Sequence, residues 1–349
     1  MKRSFFFYAL SILFLASALF DSSCTQKPRS IGSNDKIVVL ADSALWREVE
    51  VDVRHAVERE MYTPQPERIF SIILKDPQDI SDVARFPHLL LLGTLDSEGS
   101  TRTLLDGMLD EMLIEKIEQD SLFVFRKTDI WAKDQLLVVM VCRDVPTLVS
   151  RLQGDKDLLF RLFDDHAQMV VQTAMYKLAE QKDAEQRLMQ KHGWSVRVIH
   201  DYFAAIDSTQ ARFVWLRRMG PQREFFVYWQ PVADPSVLSK QWIIQKRDSL
   251  TKIYYQGDYI DTVKVNVVET EVDFQGRYAI RLDGVWQNEI NISGGPFRSY
   301  AFYNEDDGRM YLIDCSVVAP GQRKWAYMRQ LDVMAQTFRT AQSKESEAE

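Results

Sequence analysis

Most of the local signatures that announce an activity are missing from this sequence. Only three cysteines stand in 349 residues, which excludes a disulfide-dense scaffold. Neither G-x-x-x-x-G-K nor G-x-G-x-x-G occurs, so the glycine-rich phosphate cradles of nucleotide sites are absent, and no G-x-S-x-G turn exists to present a hydrolase serine. The five histidines, His55, His88, His166, His192 and His200, form no H-E-x-x-H or H-x-E pattern, and no two lie three or four apart on a helix, so metal ligation has no local support. No run of five Lys or Arg exists and the net charge is -7, which leaves nucleic-acid binding without an electrostatic basis. The reading is therefore of a chain with no metal, no cofactor, no nucleotide and no nucleic-acid partner. With 46% hydrophobic and 27% charged residues, 14 Gly and 11 Pro, the bulk is globular, and the length suits about two domains of roughly 150 residues.

Several tempting clusters have plain structural readings. Cys142 and Cys315 lie in the apolar runs LLVVMVC and MYLIDCSVV, where burial raises a thiol pKa, the opposite of what a nucleophile needs; unpaired core cysteine is the commoner state, and a bridge between the two stays open. Asp164-Asp165-His166 falls in a helical stretch where consecutive residues face different ways. Asn304 to Gly308 lacks the alternate carboxylates and closing Glu of a calcium loop and reads as a hairpin turn. Two further routes depend on spatial placement. Paired carboxylates for glycan cleavage must stand roughly 5–10 Å apart, a criterion that fifty acidic residues leave untested. Trp215, Tyr228, Trp229, Trp242 and Trp286, with Arg217 and Arg218, have the composition of a glycan or peptide groove and equally that of ordinary sheet packing.

The first 24 residues carry the strongest signal. Lys2 and Arg3 precede sixteen uncharged residues, Phe5 to Phe20, and the small pair Ser22-Ser23 then leads to Cys24. Such a run reaches about 25 Å against a hydrocarbon core of about 30 Å, so residues 1–23 read as a secretory signal peptide and not as a spanning helix. The position of Cys24 resembles the lipidation site of bacterial lipoproteins, although Asp21 stands where the usual pattern has leucine. The resemblance implies that Cys24 becomes a lipidated N-terminus, and residues 24–35, polar with Pro28 and Gly32, then read as its tether.

From Lys36 the pattern predicts an α+β protein of two lobes, each a mixed or antiparallel sheet with packed helices, and a long helix between them. An α/β-like lobe over 36–145 alternates strands such as KIVVL and HLLLL with helices, one of them expected over Thr101 to Gln119. A helical connector over 146–193 includes one long helix from Asp155 to about His192, stopped by Gly193. The second lobe, 194–339, opens with strands at Trp194 to Phe203, Arg212 to Arg217 and Glu224 to Trp229. A helix from Pro235 to about Tyr255 follows, then strands at Val263 to Val272, Tyr278 to Val285, Tyr300 to Tyr303 and Met310 to Val318, and a last helix. Residues 340–349 read as a disordered acidic tail.

Gly294-Gly295-Pro296-Phe297, Ser299 to Tyr303 and Ala319-Pro320-Gly321, with Asp129 to Gln135, Lys36 to Val39 and Ala44-Leu45-Trp46, resemble a family of uncharacterised bacterial lipoproteins known only as a domain of unknown function. The resemblance spans about residues 36–340. It implies a bacterial cell-envelope location with a lipid anchor and supplies no activity. The expected role is a non-catalytic binding or assembly component, held by lipid on Cys24 to the outer rather than the inner membrane, its body in the periplasm and its partner an envelope protein or glycan. The alternative is an envelope-polymer hydrolase using dispersed carboxylates. The native protein is expected to show the intact mass of a chain starting at a diacylglyceryl-modified Cys24, and Cys24→Ser to lose that mass; an unmodified native N-terminus would refute the anchor.

Overall fold

The computed structural model describes residues 27–61, 65–263 and 265–341. The leader, Cys24 and the last eight residues of the acidic tail lie outside them. The chain divides into two compact units, the first made of residues up to Trp46 with Ile73–Leu148, the second of Arg47–Ile72 with Val149 onward.

The first unit is built on a five-stranded sheet. Its strands are β1 (Lys36–Leu40), β2 (Ser71–Lys75), β3 (His88–Thr94), β4 (Val124–Thr128) and β5 (Leu136–Cys142), in the spatial order β2-β1-β3-β5-β4. β1, β3 and β5 are parallel, and β4 joins antiparallel at the edge. Every residue of β3 and β5 is buried, as an apolar run in a parallel sheet covered on both faces requires. Helix α1 (Ser43–Val57) starts where the Asp42 carboxylate accepts the amides of Ala44 and Leu45. Beyond α2 (Ile80–Val83), the single helix expected over Thr101 to Gln119 is two, α3 (Gly99–Asp106) and α4 (Glu111–Glu118). Asp110 caps the second by accepting Leu113 N at 2.8 Å, so the chain restarts there instead of continuing. Leu105 and Ile117 of these helices pack with Val38, Leu89, Leu91, Leu137 and Val139 of the sheet. The segment expected as a tether is tied down from Pro28, whose carbonyl accepts Lys133 N at 2.8 Å, while Ile31 N donates to Arg85 O at 2.8 Å.

The second unit carries an eight-stranded antiparallel sheet. In chain order its strands are β6 (Phe203–Ser208), β7 (Phe213–Arg218), β8 (Gln222–Pro231), β9 (Tyr259–Ile260), β10 (Val268–Asp273), β11 (Tyr278–Asn288), β12 (Ser293–Asn304) and β13 (Arg309–Val318). The spatial order runs β9-β11-β12-β13-β8-β7-β6, and β10 also pairs with β11. Helix α5 (Val145–Gly154) leads into this unit, where the long helix expected from Asp155 to His192 is two helices, α6 (Leu158–Leu178) and α7 (Lys182–His192). The break is tertiary in origin. Ala179 is extended, and the Gln181 side-chain amide donates to the carbonyls of Ile199 and Tyr202, pulling the chain out of helix. Gly193 ends α7 in the left-handed conformation at φ +80°, as its position predicts. The strand expected over Trp194 to Phe203 is not continuous: Phe203 opens β6, and Trp194–Ser195 pairs with Arg339–Thr340, so Thr340 is buried in a ladder and not part of a tail. Pro235–Val237 is a 3-10 turn; helix α8 (Lys240–Tyr254) begins after it, where the Ser239 hydroxyl accepts Trp242 N at 3.3 Å.

One face of the large sheet, through Phe213, Trp215, Phe226, Leu282, Phe297 and Leu312, packs under Ile243 and Leu250 of α8. Within this apolar layer Arg247 of α8 meets Asp314 of β13 at 2.8 Å, both fully buried, and the Ser299 hydroxyl donates to the same carboxylate at 2.6 Å. Against the other face lies α9 (Trp325–Ala335), which packs on β13 and α6.

β12 begins at Ser293, well before the expected Tyr300, and so includes Gly294-Gly295-Pro296. Gly295 is the register partner of Trp286. A Cβ on Gly295 would come within 2.0 Å of the Val317 carbonyl oxygen and 3.2 Å of Trp286 Nε1, so only glycine allows this crossing. Gly295→Ala is expected to lower stability by on the order of 3 kcal/mol, the upper range for overpacking, read as a fall in the urea midpoint; an unchanged midpoint would show that the crossing has slack.

Candidate functional site

A cavity of about 440 Å³ lies in the second unit where α8 ends. Three pieces of local structure line it. Alternation along β7 puts Trp215 and Arg217 on one face, and the antiparallel register sets Arg217 opposite Glu224 of β8, with Gln222 two residues before it on the same side. Tyr254 and Tyr255 close α8; Gln256 at φ +59° and Gly257 at φ +107° then reverse the chain and bring Asp258 to the wall. Trp286 and Ser293 come from β11 and β12. The Tyr254 ring stacks on Phe213 with centroids 4.4 Å apart, and Tyr255 lies 4.4 Å from Trp215, so the aromatic walls brace one another.

Two carboxylates stand in this apolar setting. Glu224 is 2% exposed and accepts from Trp215 Nε1 at 2.6 Å, Arg217 Nε at 3.2 Å and the Gln222 amide. Burial outweighs those donors and pushes its carboxyl up to about 7. Asp258 accepts from Asn288 Nδ2 at 2.6 Å, and burial raises it to about 6. Two buried donors of the cavity's lining residues have no partner among the described residues, the Tyr255 hydroxyl and Trp286 Nε1. Burial, with the Glu224 and Asp314 charges next in effect, holds the Tyr255 phenol well above its ordinary range, so it stays protonated. Aromatic rings, two carboxylates and two residues with unpartnered buried donors thus line one cavity.

The structure brings Trp215, Arg217 and Trp286 of the aromatic set together and disperses the rest. Tyr228 lies under Lys246 Nζ at 4.9 Å, Trp229 packs against Trp194 and His192 at 5.5 and 4.8 Å, Trp242 packs at the edge of the core, and Arg218 pairs with Asp201. Glu224, Asp258, Tyr255 and Gln222 were beyond sequence reading, because only the β7–β8 register and the turn after α8 assemble them. Cys24 lies outside the described residues. Cys142 and Cys315 are buried and form no disulfide, and burial raises the Cys315 thiol well above the usual range. Asp164 pairs with Arg329 at 2.7 Å, and His192 with Asp207 at 2.6 Å; His55 and His200 are exposed. No group of three metal-ligating side chains occurs among the described residues.

Folding favours protonated Glu224. The stability this acid contributes is fully present below its ordinary value of 4.5 and is lost as pH rises through about 7. Between about pH 5 and pH 8 the native chain is expected to lose on the order of 2–3 kcal/mol more than Glu224→Gln in urea unfolding. Parallel pH profiles would show that the carboxyl ionises at its ordinary value.

No curated protein matches the chain. Among solved structures it is similar to the Ran-binding protein Mog1p of Saccharomyces cerevisiae, at 11% identity and TM-score 0.32, over 44% of this chain and 93% of that one. It is also similar to a protein of Bacteroides thetaiotaomicron, at 10% and 0.28 over 42% and 45%. A third is LpqN of Mycobacterium tuberculosis, described as involved in cell envelope biogenesis, at 12% and 0.28 over 42% and 81%. Likenesses this distant carry no argument about activity. The family matches cover nearly the whole described chain, and they agree with the resemblance read from its motifs in naming no function: the protein carries two domains of unknown function, DUF8532 over residues 30–176 and DUF4837 over residues 181–337, the second holding every residue that lines the cavity.

Proposed function

We propose that the chain is a cell-envelope lipoprotein, anchored through lipid on Cys24 with its body in the periplasm, whose second unit binds a saccharide unit without turning it over. The observation that carries the binding role is the pair of buried, unpartnered donors, Tyr255 Oη and Trp286 Nε1, in one cavity with two carboxylates and aromatic walls. A buried donor without a partner costs about 1–3 kcal/mol, and a ligand hydroxyl meeting it recovers that loss. A cavity of this size falls within the roughly 300–1,000 Å³ of small-molecule sites. The anchor reading rests on the leader and Cys24, and it accords with the described residues, in which no helix is long and apolar enough to cross a membrane.

Hydrolysis is the second reading, favoured by two carboxylates with upward-shifted pKa values in a single cavity. Binding is preferred because a general acid must offer its proton to the leaving oxygen. The Glu224 oxygens are already occupied by Trp215, Arg217 and Gln222, and Asp258 is held by Asn288. Tryptophan-fluorescence titration of the purified protein with methyl glycosides and short glycan oligomers is expected to saturate, and Trp286→Ala to weaken affinity at least about tenfold, the equivalent of one lost hydrogen bond with its packing. Absence of binding across the series would refute the saccharide reading, and release of new reducing ends, abolished in Glu224→Gln, would move the assignment to the hydrolase.

A further inference from the structure

A second cavity, of about 680 Å³, adjoins the first, and Trp286 and Ser293 line both. Its character is different: Val265, Val285 and Ile292 contribute to its walls. Around it the hairpin tip between β11 and β12 and the loop after β9 expose Ile290 at 76%, Ile292 at 92% and Val263 at 93%. Ile292 also adopts φ +48°, a left-handed conformation that a β-branched side chain strongly disfavours and that asparagine adopts readily. Folding alone gives no reason for an exposed isoleucine in a strained backbone. Both costs fall at one residue on the wall of the second cavity, and the neighbouring residues, Asn291 and Ser293, line the first.

We infer that the two cavities are one bipartite site for an amphipathic glycolipid, its sugar head in the first cavity and its aliphatic chain along Val265, Val285 and Ile292 in the second. This rests on the saccharide reading above and extends it. The charges select the head. The acids lining the two cavities are Glu224, Asp258, Asp261 and Glu289, whereas the one cation among the described lining residues, Arg217, is committed to Glu224. Anionic heads such as phosphates are therefore repelled, and a neutral, hydroxyl-rich head is accepted. A protein partner seated on the isoleucine tip would leave Tyr255 Oη and Trp286 Nε1 unanswered, while a single amphipathic ligand answers the open donors and the exposed apolar rim together.

The test compares methyl β-glucoside, octyl β-glucoside and octyl phosphate, all below micelle-forming concentrations, by calorimetric titration of the purified full-length protein. Octyl glucoside is expected to bind at least about tenfold tighter than methyl glucoside, which corresponds to burying about two methylenes, and octyl phosphate to bind more weakly than octyl glucoside. Ile292→Asn relieves the backbone and so folds. It is expected to abolish the octyl advantage. Equal affinity for the two glucosides, or an octyl advantage that survives Ile292→Asn, would overturn the bipartite site and leave the saccharide cavity standing. Tighter binding of octyl phosphate would overturn the neutral head, and failure of both glucosides to bind would remove the saccharide reading itself.

Discussion

Arg247 and Asp314 set the geometry of the second unit. Removing a guanidinium and a carboxylate from water costs several kcal/mol each, and their mutual attraction restores that only when geometry and further hydrogen bonds are good. Here the contact is 2.8 Å, Ser299 adds a hydrogen bond and Phe297 lies 4.4 Å beneath the guanidinium, but Arg247 Nη1 and Nη2 and Asp314 Oδ2 have no partner among the described residues, so the pair specifies position more than it stabilises. The pair is best understood as a register pin. Among apolar neighbours, α8 could slide along the sheet at modest cost, but a slide would strand two charges in a dry layer. The position of the helix end is thereby determined, and with it the placement of Tyr254, Tyr255 and Asp258 opposite Trp215 and Glu224.

The opposite wall depends on a steric constraint instead. Gly294 and Gly295 let β12 pass close over Trp286 and Val317; a side chain at either would collide with backbone, at 2.9 Å from Trp286 O for Gly294 and 2.0 Å from Val317 O for Gly295. Trp286 thus stands in the wall because its strand partner has no side chain to compete for the space. One wall is placed by charge and the other by the absence of a Cβ, and neither device acts at the cavity itself.

How much of this was legible follows from the range of each interaction. The parallel strands β3 and β5 announce themselves as uninterrupted apolar runs, and the stop at Gly193 is a local conformational demand, so sequence alone places them. The break between α6 and α7 has no such mark. Lys182 to His192 keeps helical composition, and the break comes from Gln181 bonding to residues around 200, a contact that no local pattern encodes. The same reason hid half of the site. Trp215 and Arg217 were visible as members of an aromatic and basic cluster, but Glu224 became their partner only through the antiparallel register, and Asp258 only through the turn after α8. Gly294-Gly295-Pro296 was conspicuous as a motif, while its reason, a close crossing over Trp286, is a property of three adjacent strands.

The two faces of the large sheet differ in how they satisfy their buried polar groups. On the face packed by α9, Arg298 pairs with Asp283 at 2.6 Å and Asp332 at 3.1 Å, the Tyr300 hydroxyl donates to Asp332, and Gln168 donates to the same carboxylate at 3.1 Å. Most buried charge there is matched, although Arg223 Nε, beside Tyr327 of α9, has no partner among the described residues. On the other side, Trp286 of β11 and Tyr255 at the end of α8 stand beside two desolvated carboxylates, and Trp286 Nε1 and Tyr255 Oη have no partner among the described residues. Arg247 Nη1 and Nη2 and Trp194 Nε1 are likewise buried without a partner among the described residues, so what sets Tyr255 and Trp286 apart is that both line a cavity. The raised carboxyls of Glu224 and Asp258 follow from the same dryness that makes each hydrogen bond in this cavity count.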